Sequence, residues 1–188
     1  MLIIGITGTL GSGKGTIVDY LVRQKNFRHL SVRGYLIKEI EKESLPVNRD
    51  SMVIVANRLR AEHSPSFIID QLYNQAALSG ENCVIESIRA PGEVTSLREK
   101  GNFILLAVDA LPEVRYERIF KRNSETDNIS FSTFIENEKR EMDSTDPNNQ
   151  NIRQCMIMAD YVFSNNGTIK ELESAVGKIL SSVTSIKR

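Results

Sequence analysis

The sequence predicts an α/β fold with a five-stranded parallel sheet covered by helices on both faces. Three observations carry that prediction. Five short apolar runs alternate with longer segments of helical pattern. The runs at Leu2 to Thr7, Cys83 to Glu86 and Phe103 to Asp109 are almost continuously apolar, as strands buried on both faces are. The polar residues collect just after the runs, at Gly8 to Lys14, Arg33, Glu86 to Arg89, Asp109 and Asn165-Asn166, and sheets of this kind bind ligands at the carboxyl ends of their strands.

The elements follow in order. Leu2 to Thr7 reads as a strand and Lys14 to Gln24 as a helix opening from a glycine loop. Phe27 to Ser31 is a second strand. Gly34 to Glu43 is helical and stops before Pro46. Asp50 is the expected N-cap of a helix over Ser51 to Glu62, and Ser64-Pro65 starts another through about Leu78. Cys83 to Glu86 is a buried strand, Glu93 to Lys100 a short helix, and Phe103 to Asp109 the most hydrophobic strand. Pro112 opens a helix to Arg122, since proline suits a first helical turn. Phe131 to Met142 is amphipathic, and a helix near Asn151 to Met158 precedes a last strand, Asp160 to Phe163, and a last helix, Thr168 to Ser181.

The 188 residues suit one domain. Within it, 32–80 is expected to form a small helical insertion and 123–140 a short lid region. Lys plus Arg and Asp plus Glu number 24 each, so the chain lacks the basic excess of a general nucleic-acid binder. Cys83 and Cys155 form no CxxC or His/Cys cluster, which argues against structural zinc. Two cysteines suit a reducing compartment. The opening residues lack the basic leader and cleavage site of a signal peptide, and no stretch approaches ~20 apolar residues. The expected setting is cytoplasmic, with no membrane span. His29 and His63 stand alone and read as structural. Oligomeric state is not readable.

The strongest motif is the run GTLGSGKGT, in which Gly8, Gly13 and Lys14 satisfy GxxxxGK between an apolar strand and a helix. Glycines let backbone N–H groups turn inward around phosphate oxygens, and the helix N-terminus adds its positive dipole end. Lys14 supplies a point charge for β- and γ-phosphates. Gly15 stands where a hydroxyl residue usually follows the lysine, and Thr16 comes next.

The sub-pattern GSGKGT resembles the phosphate loop of adenylate kinase and other nucleoside monophosphate kinases. Later segments are similar in the same order. SVRGYLIKEI matches the start of their acceptor-binding region, VIESIR their strand-end acid and arginine, and RYERIFKRN their arginine-rich helix before a lid. ADYVFSNNGTIKEL looks like the closing segment of dephospho-CoA kinase, where an Asn-Gly loop lies near the adenine. The resemblance implies a three-layer P-loop NTPase fold and transfer of a γ-phosphoryl group from ATP, or another nucleoside triphosphate, with Mg²⁺.

The resemblance also implies roles. Gly8, Leu10, Gly11, Ser12, Gly13, Lys14, Gly15 and Thr16 would bind the triphosphate, with Arg118 and the Asn166-Gly167 loop against the rest of that nucleotide. Thr16 and Glu86 would hold Mg²⁺. The alternative for Glu86 is an ion pair with Arg89. Arg89 could grip an acceptor phosphate by two parallel hydrogen bonds or be a solvated loop arginine. Arg115, Arg118 and Arg122 share a helix face. Arg118 and Arg122, leading into the polar segment Asn123 to Ser130, could neutralise the transferring phosphoryl group with Arg140 beyond it, or form a solvated face. Arg33, Arg49, Arg58 and Arg60 populate the acceptor region; Arg58 and Arg60, two apart, cannot point the same way.

The acceptor is expected to be nucleotide-like, a nucleoside or deoxynucleoside monophosphate. A phosphate acceptor needs no general base, whereas the hydroxyl of dephospho-CoA does. The resemblance implies an acid after the second strand for dephospho-CoA kinase, and Ser31-Val32-Arg33-Gly34 contains none. A dephospho-CoA kinase-like enzyme and a non-catalytic nucleotide-binding module are the alternatives.

Overall fold

In a computed structural model, residues 1–122 and 129–185 are described. The chain forms β1 (Ile3–Gly8), α1 (Lys14–Lys25), β2 (Arg28–Ser31), α2 (Val32–Lys42), α3 (Arg49–Glu62), α4 (Phe67–Ser79), β3 (Cys83–Glu86), α5 (Pro91–Glu99), β4 (Phe103–Asp109), α6 (Pro112–Arg122), α7 (Phe131–Met142), α8 (Ile152–Ile157), β5 (Tyr161–Ser164) and α9 (Ile169–Ser185). The five strands make one sheet in the order β2-β3-β1-β4-β5, every pairing parallel. The expected fold class is the observed one.

Alternation along β1, β3 and β4 explains why they read as continuous apolar runs. Ile3, Cys83, Ile85 and Leu105 face a core shared with α2, α3, α4, α5 and α8. Leu2, Ile4, Ile6, Val84, Leu106 and Val108 face the opposite core, closed by α1 and α9. A strand with both faces covered has no position for a solvated side chain. Cys83 and Cys155 are both free and buried, the ordinary state of a cysteine acting as a small hydrophobe.

Most boundaries lie within two or three residues of their expected places, and the shifts have local causes. Helix α3 starts earlier because Asn48, not Asp50, is its cap: the Asn48 side chain accepts from the Ser51 amide. Helix α2 likewise starts at Val32 because the Ser31 hydroxyl accepts from the Gly34 amide at 3.0 Å. Helix α5 starts at Pro91, with the Glu93 carboxylate reaching back to the Arg89 and Ala90 amides at 2.8 and 3.1 Å. The other Glu93 oxygen takes the buried Arg60 guanidinium from α3, at 2.8 and 3.1 Å. Glu93 is therefore fully hydrogen-bonded where it is fully buried, as a buried charge must be.

No described helix is long and apolar enough to cross a membrane.

Candidate functional site

Strand β1 delivers the chain to a loop over residues 9–13, and α1 begins at Lys14. Gly13 caps α1 in the left-handed region, at φ 107°, where a side chain would be strained. Gly11 also has positive φ, and a Cβ there would lie 2.5 Å from the Arg115 carbonyl oxygen. The loop is braced from outside. Thr9 Oγ1 donates to Asp109 Oδ1 at 2.5 Å, and the Ser12 hydroxyl donates to the Thr9 carbonyl at 2.8 Å. Asn165 Nδ2 donates to the Ser12 carbonyl at 2.8 Å. Arg115, buried at the base of α6, donates to the Leu10 and Ala110 carbonyls and pairs with Glu138 of α7.

Lys14 Nζ lies within this loop, donating to the Gly8 and Thr9 carbonyls at 2.8 and 2.6 Å. Burial, and then the Arg89 guanidinium, lower its pKa to about 7, against the opposing pull of Glu86 and Glu141. Lys14 thus shares one electrostatic neighbourhood with Arg89, Glu86, Glu141 and Arg49.

A cleft of about 650 Å³ runs from the loop across the carboxyl edge of the sheet. Leu10 to Thr16 line one end, and Arg118, Arg122, Gly167 and Ile169 border that end. Glu86 at the end of β3, with Ser87 and Arg89 just beyond it, lines its floor. Its far wall is apolar, with Val32 and Leu36 from α2 and Met52, Val53 and Ala56 from α3, beside Arg33, Arg49 and Arg60. Glu141 and Gln150 close the remaining side. One Arg118 nitrogen, Nη1, is buried with no hydrogen-bond partner among the described residues, an uncommon state for a charged group.

Most residues singled out in the sequence meet here, with several qualifications. Glu86 does not pair with Arg89: its oxygens accept from the Ser31 and Ser87 hydroxyls, and Arg89 pairs with Glu141. Arg60 lines the cleft but is committed to Glu93, while Arg58 pairs with Glu43 and Glu62 away from it. Arg115 leaves the expected arginine face to brace the loop. Two placements depart from expectation. Arg140 is exposed, 3.4 Å from Asp50, because adjacent helical residues point about 100° apart and Glu141 takes the inward direction. Asn166 turns outward, accepting from the Leu111 amide and donating to Ser164; its neighbour Asn165 reaches the loop instead. The expected lid, Asn123 to Ser130, lies outside the described residues over 123–128.

Glu141 and Gln150 were not singled out, and Asn165 was placed at the sheet edge without a role. Glu141 had one readable signal: Phe134, Glu138 and Glu141 are spaced i, i+4, i+7, so two carboxylates share a stripe with the buried Phe134.

A family model described as an AAA domain matches residues 4–146. A UPF0200 protein of Methanococcus vannielii is 32% identical over 190 residues, covering 97% of this chain and 99% of that relative. The chain belongs to the AAA-domain family and to the UPF0200 proteins. A UPF0200 protein of Pyrococcus horikoshii is 28% identical, with 98% of each chain covered. Among solved structures, shikimate kinase from Bacteroides thetaiotaomicron superposes with a TM-score of 0.57 at 15% identity, covering 96% of this chain and 98% of that one. A sugar kinase from Janibacter gives 0.56 at 15%, covering 96% and 95%. At such identities the likeness is one of fold, and it gives this AAA domain a P-loop kinase-like fold, a coarser statement than kinship with nucleoside monophosphate kinases or dephospho-CoA kinase.

Proposed function

We propose that this protein transfers the γ-phosphoryl group of ATP, or a related nucleoside triphosphate, to a nucleotide-like acceptor that presents a phosphate. The observation that carries this reading is the composition of the cleft. One end is a phosphate loop. The other pairs an apolar wall with arginines at its base, which suits a flat base or similar apolar group above a phosphate. The 32–80 segment, α2 to α4, would bind the acceptor, and α6 with α7 would frame the lid.

The chemistry needs little beyond placement and charge neutralisation. Lys14 and the loop amides would hold the β- and γ-phosphates. Arg118, with its unpartnered Nη1, and Arg122 would face the transferring group. Arg89 and Arg49 would hold the acceptor phosphate, whose oxygen is already a nucleophile. Thr16 and Glu86 fit a Mg²⁺ role, because both line the cleft and both offer the oxygen donors that Mg²⁺ takes. Mg²⁺ keeps several waters and takes few protein ligands; bound with the triphosphate, it supplies charge neutralisation on the phosphate oxygens.

The depressed Lys14 pKa makes triphosphate binding pH-dependent. Phosphate oxygens favour the charged ammonium, so the bound pKa lies above the free value of about 7. Above pH 7 triphosphate binding then takes up a proton. Affinity is expected to fall as pH rises past 7, by at most about tenfold per pH unit. Calorimetric titration of a non-hydrolysable ATP analogue from about pH 6.5 to about pH 9 checks this; a flat profile contradicts it.

The reading itself is tested by incubating purified protein with ATP and Mg²⁺ and each nucleoside monophosphate, deoxynucleoside monophosphate or dephospho-CoA, following ADP release. Stimulation by a monophosphate supports it. Stimulation by dephospho-CoA alone selects the hydroxyl-acceptor alternative, and tight ATP binding without ADP release selects the non-catalytic one.

A further inference from the structure

We propose that Glu141 is a positioning residue for the acceptor phosphate: a single buried carboxylate that clamps Arg49 and Arg89, from separate parts of the chain, into one anion-gripping pair. The proposal rests on the phosphate-acceptor reading above and names the device that would make it specific.

The geometry is particular. Glu141 Oε1 accepts from Arg49 Nη2 at 2.5 Å, and Oε2 accepts from Arg89 Nη1. The Glu141 side chain is 5% exposed, and each arginine side chain 21%. Burial pushes the Glu141 carboxyl up, but the Arg89 and Arg49 guanidiniums outweigh it and hold the group below the usual carboxylate range. The three residues come from three places, α3, the β3–α5 connection and α7, so no local sequence feature would bring them together.

Arg89 is fixed at almost every other point. Its amide donates to Glu93 at 2.8 Å, its carbonyl accepts from the Asn151 amide at 2.8 Å, and its Nη1 also donates to Gln150 at 2.9 Å. What remains is the Nε–Nη2 edge, which has no partner among the described residues. Arg49 likewise spends Nη2 on Glu141 and leaves Nε buried and unpartnered. Each guanidinium therefore uses one nitrogen for the clamp and keeps other donors, and both residues line the cleft. A guanidinium grips a phosphate best by a pair of parallel N–H groups. Two arginines so close to Lys14 would repel one another without an anion between them. Glu141 offsets that repulsion while leaving a net positive pair.

The test uses inorganic phosphate as the probe, titrated by calorimetry onto protein saturated with a non-hydrolysable ATP analogue so that the phosphate loop is filled. Wild type is expected to bind it. Glu141→Gln, which keeps the shape but presents an N–H to one arginine, should weaken phosphate binding by about tenfold to a hundredfold, the cost of a misplaced gripping group. Glu141→Asp should fall between, because it keeps the charge at shorter reach. Affinity for the ATP analogue should change by less than about threefold in both, since uniform loss would mean general damage. In turnover, the acceptor KM should rise while the KM for ATP holds.

Unchanged phosphate affinity in Glu141→Gln overturns the proposal. So does tighter binding, which would make Glu141 a competitor for the phosphate position. Failure of wild type to bind phosphate overturns it as well. If Glu141→Gln does not fold, Glu141→Asp decides: wild-type phosphate affinity there is the contrary result. A protein that shows this phosphate series but releases no ADP with any acceptor would fail the phosphotransfer reading and keep the positioning role.

Discussion

Lys14→Ala is expected to reduce phosphoryl transfer by about a hundredfold or more, the scale on which a preorganised charge aimed at a developing anion acts. The fold should survive. The Lys14 side chain does not enter either hydrophobic cluster; its Nζ is held by the Gly8 and Thr9 carbonyls inside the phosphate loop. The loop keeps its other braces through Asp109, Asn165 and Arg115. Far-ultraviolet circular dichroism should therefore resemble wild type, while ADP release collapses. Because burial depresses the Lys14 pKa to about 7, the folded chain binds fewer protons here than the unfolded chain between about pH 7 and the ordinary lysine value near 10.5. This group's contribution to stability then becomes more favourable as pH rises through that window. Removing the amine should accordingly flatten that part of the stability profile. Wild-type turnover in a folded Lys14→Ala protein contradicts the assignment of the loop.

Arg89→Ala should act on the other substrate. Its place after β3, tied to Glu141, Gln150 and the Glu93 carboxylate, puts it on the cleft floor beside the loop. The expected effect is a rise of about tenfold to a hundredfold in acceptor KM, as for a lost charge-assisted hydrogen-bonded pair. The KM for ATP should change little. Initial-rate kinetics with each substrate varied separately measures both. Equal losses for the two substrates would make Arg89 a general structural element.

The sheet was legible because β1, β3 and β4 are apolar on both faces, and nothing but a covered parallel sheet satisfies such runs between helices. The phosphate loop was legible because its chemistry is contiguous, from Gly8 to Thr16. Helix starts were less so, since Asn48 and Asp50 are both good caps and only the hydrogen bond to the Ser51 amide chooses between them. The acceptor side was legible only in part. Arg49 and Arg89 could be picked out as arginines near a strand edge, but their common partner Glu141 lies 92 and 52 positions away along the chain. Tertiary packing alone makes that contact. Arg60 illustrates the same point from the other direction. It reads as a substrate arginine, yet its guanidinium is spent on Glu93, a carboxylate whose helix-capping role is local and whose ion pair is not. Asn165 and Asn166 could not be told apart in sequence, because which of two neighbours faces the loop depends on the register of β5 against β4.

Direct transfer requires that one cleft bring a triphosphate and a phosphate acceptor together. Following the γ-phosphate label of ATP tests it most directly, with Mg²⁺ and the monophosphate that best stimulates ADP release. The label is expected in the acceptor as a nucleoside diphosphate, in step with ADP and without free inorganic phosphate. Label that appears only as inorganic phosphate, at a rate indifferent to every acceptor, would contradict it.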